Sequence, residues 1–273
     1  MPVRTPTRWK MDDLDYSRIQ REAVMTDETM FYLACSASFI ESGSDLYTHN
    51  LIEFFRGDDE VTQWLIEQWE PEELQHGRAL RAYVRHVWPD FDWERGFRSF
   101  IEEYRAYCKV ELLEPTRGLE MSARCVVETG TATYYRALAR STGEPFFSEL
   151  AGRIAGDEVN HYKHFLRFFR RYRDQERLGR TRVLRTLSRR TWELRNEDAD
   201  CAIRHIARIR SPGRAGDPEF IRRMSSRMSR TVGRNLSASF TLKMLMRPLE
   251  LPAKVQSLVQ LPVEQLMQRV FLR

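Results

Sequence analysis

Two copies of the pattern Glu-x-x-His constrain this chain more than any other feature of its sequence. They are Glu73-Leu74-Gln75-His76 and Glu158-Val159-Asn160-His161. Residues three apart on an α-helix share one face, so each copy can direct a carboxylate and an imidazole toward one point. One copy alone is weak evidence for a metal site, because Glu and His fall at this spacing in many helices as a solvated pair.

A glutamate precedes each copy within an earlier segment of apolar or small residues. Glu41 ends the run 35–41, and Glu128 ends the run 125–128. A buried carboxylate needs a partner that compensates for its desolvation. The spacing also repeats, since Glu41 lies 32 residues before Glu73 and Glu128 lies 30 residues before Glu158. This repeat indicates two antiparallel helix pairs related by an internal pseudo-twofold axis.

The hydrophobic periodicity of the chain is helical, and glycine and proline are sparse through most of the first 180 residues. We predict an all-α fold, a ferritin-like four-helix bundle with additional C-terminal helices. Thr26 or Asp27 is the expected cap of the first helix, and Pro71 is expected to kink the second. The predicted bundle helices cover about residues 27–55, 59–86, 115–141 and 146–175, with a connecting helix over about 92–111.

The expected domains are an N-terminal extension over residues 1–26, the di-metal bundle over 27–176 and a basic helical C-terminal extension over 177–273. Arginines are dense from residue 167 to residue 190, where only Asp174 and Glu176 balance them, and this stretch is predicted to be a basic surface. A turn-rich break follows at 211–218, and a last helical pattern covers 255–272.

Charge and composition limit the possible partners and compartment. The formal net charge is +5, which favours anionic partners without identifying one. No recognised nucleic-acid module accompanies the arginines, so we expect no nucleic-acid partner. The four cysteines form no C-x-x-C pair and are expected to be ordinary reduced thiols. No apolar run approaches the roughly 20 residues of a membrane span, and the chain is expected to be cytoplasmic.

The predicted metal ligands match the arrangement of ferritin-like dinuclear carboxylate proteins, in which two helices each give one Glu and two others each give Glu-x-x-His. This ligand set favours two iron ions. By the pseudo-symmetry, Asp157 is expected to support His76, and Glu72 is expected to support His161. His49 and His205 have no carboxylate at useful spacing and are assigned no role. The six predicted ligands are Glu41, Glu73, His76, Glu128, Glu158 and His161.

Several strings resemble those of the soluble acyl-carrier-protein desaturases. Residues 69–77 resemble that family's W-T-A-E-E-N-R-H-G, and residues 154–161 resemble its I-A-A-D-E-K-R-H. Residues 128–131 resemble E-R-A-T, and Glu41 followed by Tyr47 resembles E-E-A-L-P-T-Y. The likeness covers about residues 27–170. It departs from the family at Gln75 and Asn160, where the family has arginine before each histidine.

The resemblance implies a di-iron, O2-activating oxidoreductase that desaturates or hydroxylates an acyl chain carried on acyl carrier protein. It also implies a homodimer and electrons supplied by a ferredoxin-type donor. Thr131 is the implied proton donor during oxygen activation, and Trp69, in the first resembling string, is implied to lie beside the ligands of the irons.

Three alternatives remain open at this point. The first is a di-iron oxygenase that acts on an amine or another small metabolite of secondary metabolism, which the departures at Gln75 and Asn160 permit. The second is a ferritin-like or rubrerythrin-like protein that handles iron or peroxide, although the sequence lacks a rubredoxin-type cysteine quartet. The third is a non-catalytic bundle whose arginine-rich extension binds an anionic partner.

Overall fold

The computed structural model describes residues 8–193, residues 197–252 and residue 255. Within these ranges the chain is helical and contains no β-strand, which confirms the all-α prediction. No helix in the same ranges is long and apolar enough to cross a membrane. The α-helices, in chain order, are α1 (Arg21–Val24), α2 (Glu28–Ser42), α3 (Ser44–Phe54), α4 (Asp59–Trp64), α5 (Glu70–Val87), α6 (Trp93–Tyr104), α7 (Arg117–Ser141), α8 (Pro145–Glu176), α9 (Arg180–Glu193), α10 (Glu197–Arg210), α11 (Pro218–Gly233) and α12 (Ala238–Met246).

The chain forms two compact units, and each has its own set of packed helices. The first unit consists of Met1–Leu112, Thr142–Leu150 and Asn196–Ser229. In it α5 packs against α2, and α10 packs against both α2 and α6. The second unit consists of Leu113–Ser141, Ala151–Arg195 and Arg230–Arg273, and in it α9 and α12 pack against α7.

The first predicted helix is two helices. Asp27 caps α2 by accepting hydrogen bonds from the backbone N–H groups of Thr29 and Met30, at 2.9 and 3.0 Å, which confirms one of its two candidate caps. The chain then leaves helical geometry at Gly43, and α3 begins at the next residue. The predicted break after residue 55 is present, with Gly57 at a φ of 89°.

The second predicted helix contains a π-helical turn where a proline kink was expected. The segment Leu65–Trp69 has π-helical hydrogen bonding, and α5 begins with Glu70, so that Pro71 lies in the first turn of α5. Because the π-helical turn runs directly into α5, it alters the hydrogen bonding just before Pro71, where a regular α-helix would need an N–H that proline lacks. Single π-helical turns inside α-helices are frequent at functional sites.

The arginine-rich stretch is partly neutralised by acids that are distant in sequence. Glu250 accepts hydrogen bonds from Arg170 and Arg173, at 2.9 and 2.7 Å. The buried Glu114 accepts hydrogen bonds from Arg189 and Arg190. The stretch is therefore less basic than its own sequence predicts. The last predicted helical pattern, 255–272, lies outside the described residues except for residue 255.

Candidate metal-ligand groups

The first unit holds three of the predicted ligands close together. Glu41 comes from α2, and Glu73 and His76 come from adjacent turns of α5. His76 Nδ1 lies 3.7 Å from an oxygen of Glu41 and 3.9 Å from an oxygen of Glu73. All three residues are at most 7% exposed. We call them the first ligand group.

A glycine allows α2 and α5 to approach at this point. A Cβ atom on Gly77 would lie 2.7 Å from the backbone nitrogen of Ser42 and 2.8 Å from its Cα. Both distances are too short for any side chain, and backbone atoms cannot move aside as a flexible side chain can. Gly77 follows His76 and Ser42 follows Glu41, so this contact sets the distance between helices where the first ligand group forms.

An N-terminal residue also contacts the first ligand group, and the sequence did not indicate this. The ring of Trp9 stacks on that of His76, with centroids 6.1 Å apart and planes inclined by 10°. The carbonyl oxygen of Trp9 accepts a 3.1 Å hydrogen bond from the side chain of Gln75. Gln75, which stands where the resembled family has arginine, therefore holds Trp9 over the imidazole. No local pattern near residue 9 signals this contact.

The second unit holds the other three predicted ligands in a matching arrangement. Glu128 comes from α7, and Glu158 and His161 come from α8. His161 Nδ1 lies 3.5 Å from an oxygen of Glu128 and 4.0 Å from an oxygen of Glu158. All three residues are at most 2% exposed. We call them the second ligand group.

The environment of Glu128 disfavours its charged form. The pKa of Glu128 is raised to about 8, chiefly by burial and also by the nearby Glu158 carboxylate, while His161 opposes the shift. Two carboxylates buried side by side repel each other when both are ionised. A bound cation would remove that repulsion, so the arrangement has the electrostatics that favour a metal ion.

Thr131 contacts the second ligand group one turn after Glu128. Its hydroxyl donates a 2.6 Å hydrogen bond to Glu158 Oε2. The backbone carbonyls of Val127 and Glu128 lie 3.3 and 3.2 Å from the same hydroxyl. The shortest of these contacts directs the hydroxyl proton to a predicted ligand carboxylate.

Each ligand group has the donor atoms and the spacing of half a dinuclear site. The donor atoms within each group lie within 4.8 Å of one another. Nitrogen–oxygen distances of 3.5–4.0 Å exceed those of hydrogen bonds. They suit atoms that share an ion about 2.0–2.2 Å from each, as is usual for first-row divalent metals with imidazole and carboxylate. The residues present therefore fit iron.

The other predicted site residues are buried, and each lies a few residues before a predicted ligand in the sequence. Trp69 ends the π-helical turn, and Glu72, next to the ligand Glu73, accepts a 3.4 Å hydrogen bond from Gln68. Asp157 precedes Glu158 and is 1% exposed. The expected support of His76 by Asp157, and of His161 by Glu72, remains a prediction.

One histidine to which the sequence assigned no role has a carboxylate partner. No carboxylate lies at useful spacing from His205 in the sequence, but Glu103 Oε2 lies 2.9 Å from His205 Nε2. The two residues are far apart in sequence and meet because α10 packs against α6. Sequence spacing on one helix could not reveal this pair.

The fold and the two ligand groups define an all-α protein with two buried carboxylate–histidine sets, each built on a helix pair. No protein-family model matches the chain. The chain is similar to the curated protein "Putative acyl-[acyl-carrier-protein] desaturase DesA2" of Mycobacterium tuberculosis, in strains CDC 1551 / Oshkosh and ATCC 25618 / H37Rv. In both cases it is 35% identical over 120 residues, which are 42% of this chain. The matched segment covers only 40% of the relative's length.

Proposed function

We propose that this protein is a di-iron oxidoreductase that activates O2 and oxidises an acyl chain carried on acyl carrier protein. In this proposal the first and second ligand groups together bind two iron ions as one dinuclear centre. The pattern of one Glu from each of two helices and Glu-x-x-His from each of two others supports it. Four carboxylates would neutralise most of the charge of two divalent ions.

The observation that carries the proposal is the near-identity of the two ligand groups. Each has one carboxylate from one helix and a carboxylate and an imidazole from a second helix, all within 4.8 Å and all buried. Buried carboxylates that face one another without a cation would destabilise the fold, so a role in metal binding accounts for their presence twice. Oxygen donors with one imidazole per metal favour iron over copper.

The choice of substrate rests on the similarity to a desaturase. The relative from Mycobacterium tuberculosis is named as a putative acyl-[acyl-carrier-protein] desaturase. The strings around both Glu-x-x-His patterns also resemble those of the soluble acyl-carrier-protein desaturases. We extend the same inference to a homodimer in the cytoplasm that receives electrons from a ferredoxin-type donor. The excess of basic residues suits an acidic carrier protein.

The chain's own residues would orient the acyl substrate, exclude water and control protons. When bound, the irons would supply the oxidising power for C–H cleavage. Removal of two hydrogens from adjacent methylenes yields two electrons, the donor supplies two more, and together they reduce O2 to two water molecules. Thr131 would hold one proton at Oγ1 beside Glu158. Asp157 and Glu72 would orient His76 and His161.

An assay with acylated carrier protein, ferredoxin, its reductase and O2 tests this function. Mass spectrometry of the released chain should show the loss of two hydrogens for a desaturase, or the gain of one oxygen for a hydroxylase. Both products should disappear when O2 is omitted. Absence of any change with acyl chains of several lengths, in a protein that contains its iron, would contradict the acyl substrate. It would favour the small-metabolite oxygenase, for which the departures at Gln75 and Asn160 leave room.

A further inference from the structure

The first unit contains a further set of side chains of the types that bind metal ions, and none of them belongs to either ligand group. It consists of Glu103 on α6 with Cys201 and His205 on α10, and their donor atoms all lie within 4.8 Å of one another. Cys201 and His205 are at most 1% exposed, whereas Glu103 is partly exposed. We call these three residues the α6–α10 cluster.

The geometry of α10 brings its two members to one face. Cys201 and His205 are four residues apart, so they lie one above the other on the same side of the helix. That side packs against α6, which supplies Glu103. The spacing is the one that pairs metal ligands on a single helix in other zinc proteins. Three donors of different chemistry therefore converge from two helices.

The imidazole of His205 has a hydrogen-bond partner at each ring nitrogen. Its Nδ1 lies 2.8 Å from the hydroxyl of Ser99, and its Nε2 lies 2.9 Å from Glu103 Oε2. Ligating histidines usually have one ring nitrogen fixed by an outer hydrogen-bond partner while the other faces the metal. In the zinc-bound protein Ser99 would be that outer partner, and the ion would replace the proton between His205 Nε2 and Glu103 Oε2.

Two arginines lie beside the cluster, and their contacts leave donor atoms for a cation. Arg204 pairs with Glu103 Oε1, so the second oxygen, Oε2, faces His205. Arg208 Nη1 lies 3.2 Å from His205 Nδ1 and 3.3 Å from Ser99 Oγ. In the zinc-bound protein Nδ1 would carry the ring proton, and Arg208 would donate to the Ser99 hydroxyl instead. The carboxylate can therefore use Oε2 for a metal while Arg204 holds Oε1, as ligating carboxylates are commonly hydrogen-bonded.

We propose that the α6–α10 cluster binds one Zn²⁺ ion through Glu103, Cys201 and His205, with water as the fourth ligand. A thiolate and an imidazole select zinc over the harder cations that carboxylate-rich sites prefer. One thiolate and one carboxylate balance the two positive charges of the ion. The bound zinc would link α10 to α6 and stabilise the first unit.

Cobalt(II) titration of the full-length protein, purified free of metal, tests this site. Cobalt bound to a thiolate gives an intense charge-transfer absorption in the near ultraviolet, and neither ligand group contains a cysteine. We expect the final intensity of this band to be that of one thiolate-bound cobalt per chain, whatever cobalt the two ligand groups also bind, and we expect zinc to displace it. Cys201→Ser should abolish the band, and Cys108→Ser, which removes a cysteine outside the cluster, should leave it intact.

Two further measurements distinguish loss of this zinc site from loss of the dinuclear centre and from misfolding of a variant. Glu73→Ala and Glu158→Ala should leave the band unchanged, so its presence does not depend on the proposed di-iron function. Glu103→Gln and His205→Gln should each weaken zinc binding at least tenfold while far-ultraviolet circular dichroism shows normal helix content. Absence of the band in the unaltered protein, or its persistence in Cys201→Ser, would overturn the proposal and leave the cluster as a polar network centred on the Arg204–Glu103 pair.

Discussion

The hydroxyl of Thr131 donates a 2.6 Å hydrogen bond to Glu158 Oε2, which ties a side chain on α7 to a proposed iron ligand on α8. A threonine inside a helix more often bonds only to a carbonyl one turn earlier, as Thr129 does with Cys125. The contact places an exchangeable proton on a carboxylate that the metal would also use.

Thr131→Val removes this proton while keeping the shape of the side chain. We expect iron content to be retained and turnover with O2 to fall about 10²-fold, the lower end of the range for a positioned proton donor. Thr129→Val, which removes a hydroxyl of the same helix that bonds only within that helix, should keep normal turnover. Equal turnover in the two variants would remove Thr131 from the proposed mechanism.

Gly77→Ala should destabilise the protein and disturb the first ligand group. The added Cβ would meet the Ser42 backbone at 2.7–2.8 Å, so α2 and α5 must separate. We expect a loss of about 1–3 kcal/mol in the free energy of unfolding, typical of overpacking, together with weaker iron binding.

The matched control is Gly152→Ala in α8. A Cβ there meets no atom within 4 Å, and the residue is exposed. This variant should gain about 0.5–1 kcal/mol, because alanine favours a helix interior over glycine. Denaturant unfolding of both variants checks the pair. Equal effects would show that the contact at Ser42 does not limit the approach of the helices.

Trp9→Ala should unfold more easily and lose iron more readily. Trp9 is 3% exposed, and its ring covers His76. Truncation of a buried tryptophan costs about 3–5 kcal/mol, and here it would also release the imidazole from its stacking partner. Trp9→Phe should recover most of the iron affinity. Trp192→Ala removes a tryptophan that is 67% exposed and should change the free energy of unfolding little; a comparable loss would contradict a special role for Trp9.

Glu128→Gln should change how the stability of the metal-free protein depends on pH. Burial raises the pKa of Glu128 from an ordinary 4.5 to about 8. The folded state therefore holds its proton after the unfolded state has lost it, and stability falls as pH rises from about 4.5 to about 8. Urea unfolding at pH 5 and pH 8 should show a smaller decline in Glu128→Gln than in the unaltered protein or in the exposed-site variant Glu22→Gln. An identical loss of stability between pH 5 and pH 8 in all three proteins would contradict the raised pKa of Glu128.

The sequence predicted the features that depend on local spacing and missed those that depend on distant contacts. Helix geometry alone predicted the pairing of Glu73 with His76 and of Glu158 with His161. The second carboxylate of each ligand group was predicted from an apolar run that indicated burial. The π-helical turn before Pro71 was not predicted, because the sequence signals of a kink and of a π turn are alike.

Contacts between segments that are distant in the chain could not be predicted, because they correspond to no local sequence pattern. Trp9 reaches His76 through an N-terminal segment whose sequence has no periodicity, and Glu103 meets His205 across two helices. The arginine-rich stretch was predicted from its own charges, but Glu114 and Glu250 neutralise part of it from elsewhere in the chain. Pairing of this kind is decided by packing, which a single sequence does not encode at short range.

Iron content per chain, measured after purification with added ferrous iron, tests whether the two ligand groups bind iron. A dinuclear centre requires two irons per chain in the unaltered protein and their loss in both Glu73→Ala and Glu158→Ala, one variant for each ligand group. Circular dichroism should show that both variants keep their helix content. Absence of iron from the unaltered protein, or an iron content that neither substitution changes, would contradict the dinuclear centre.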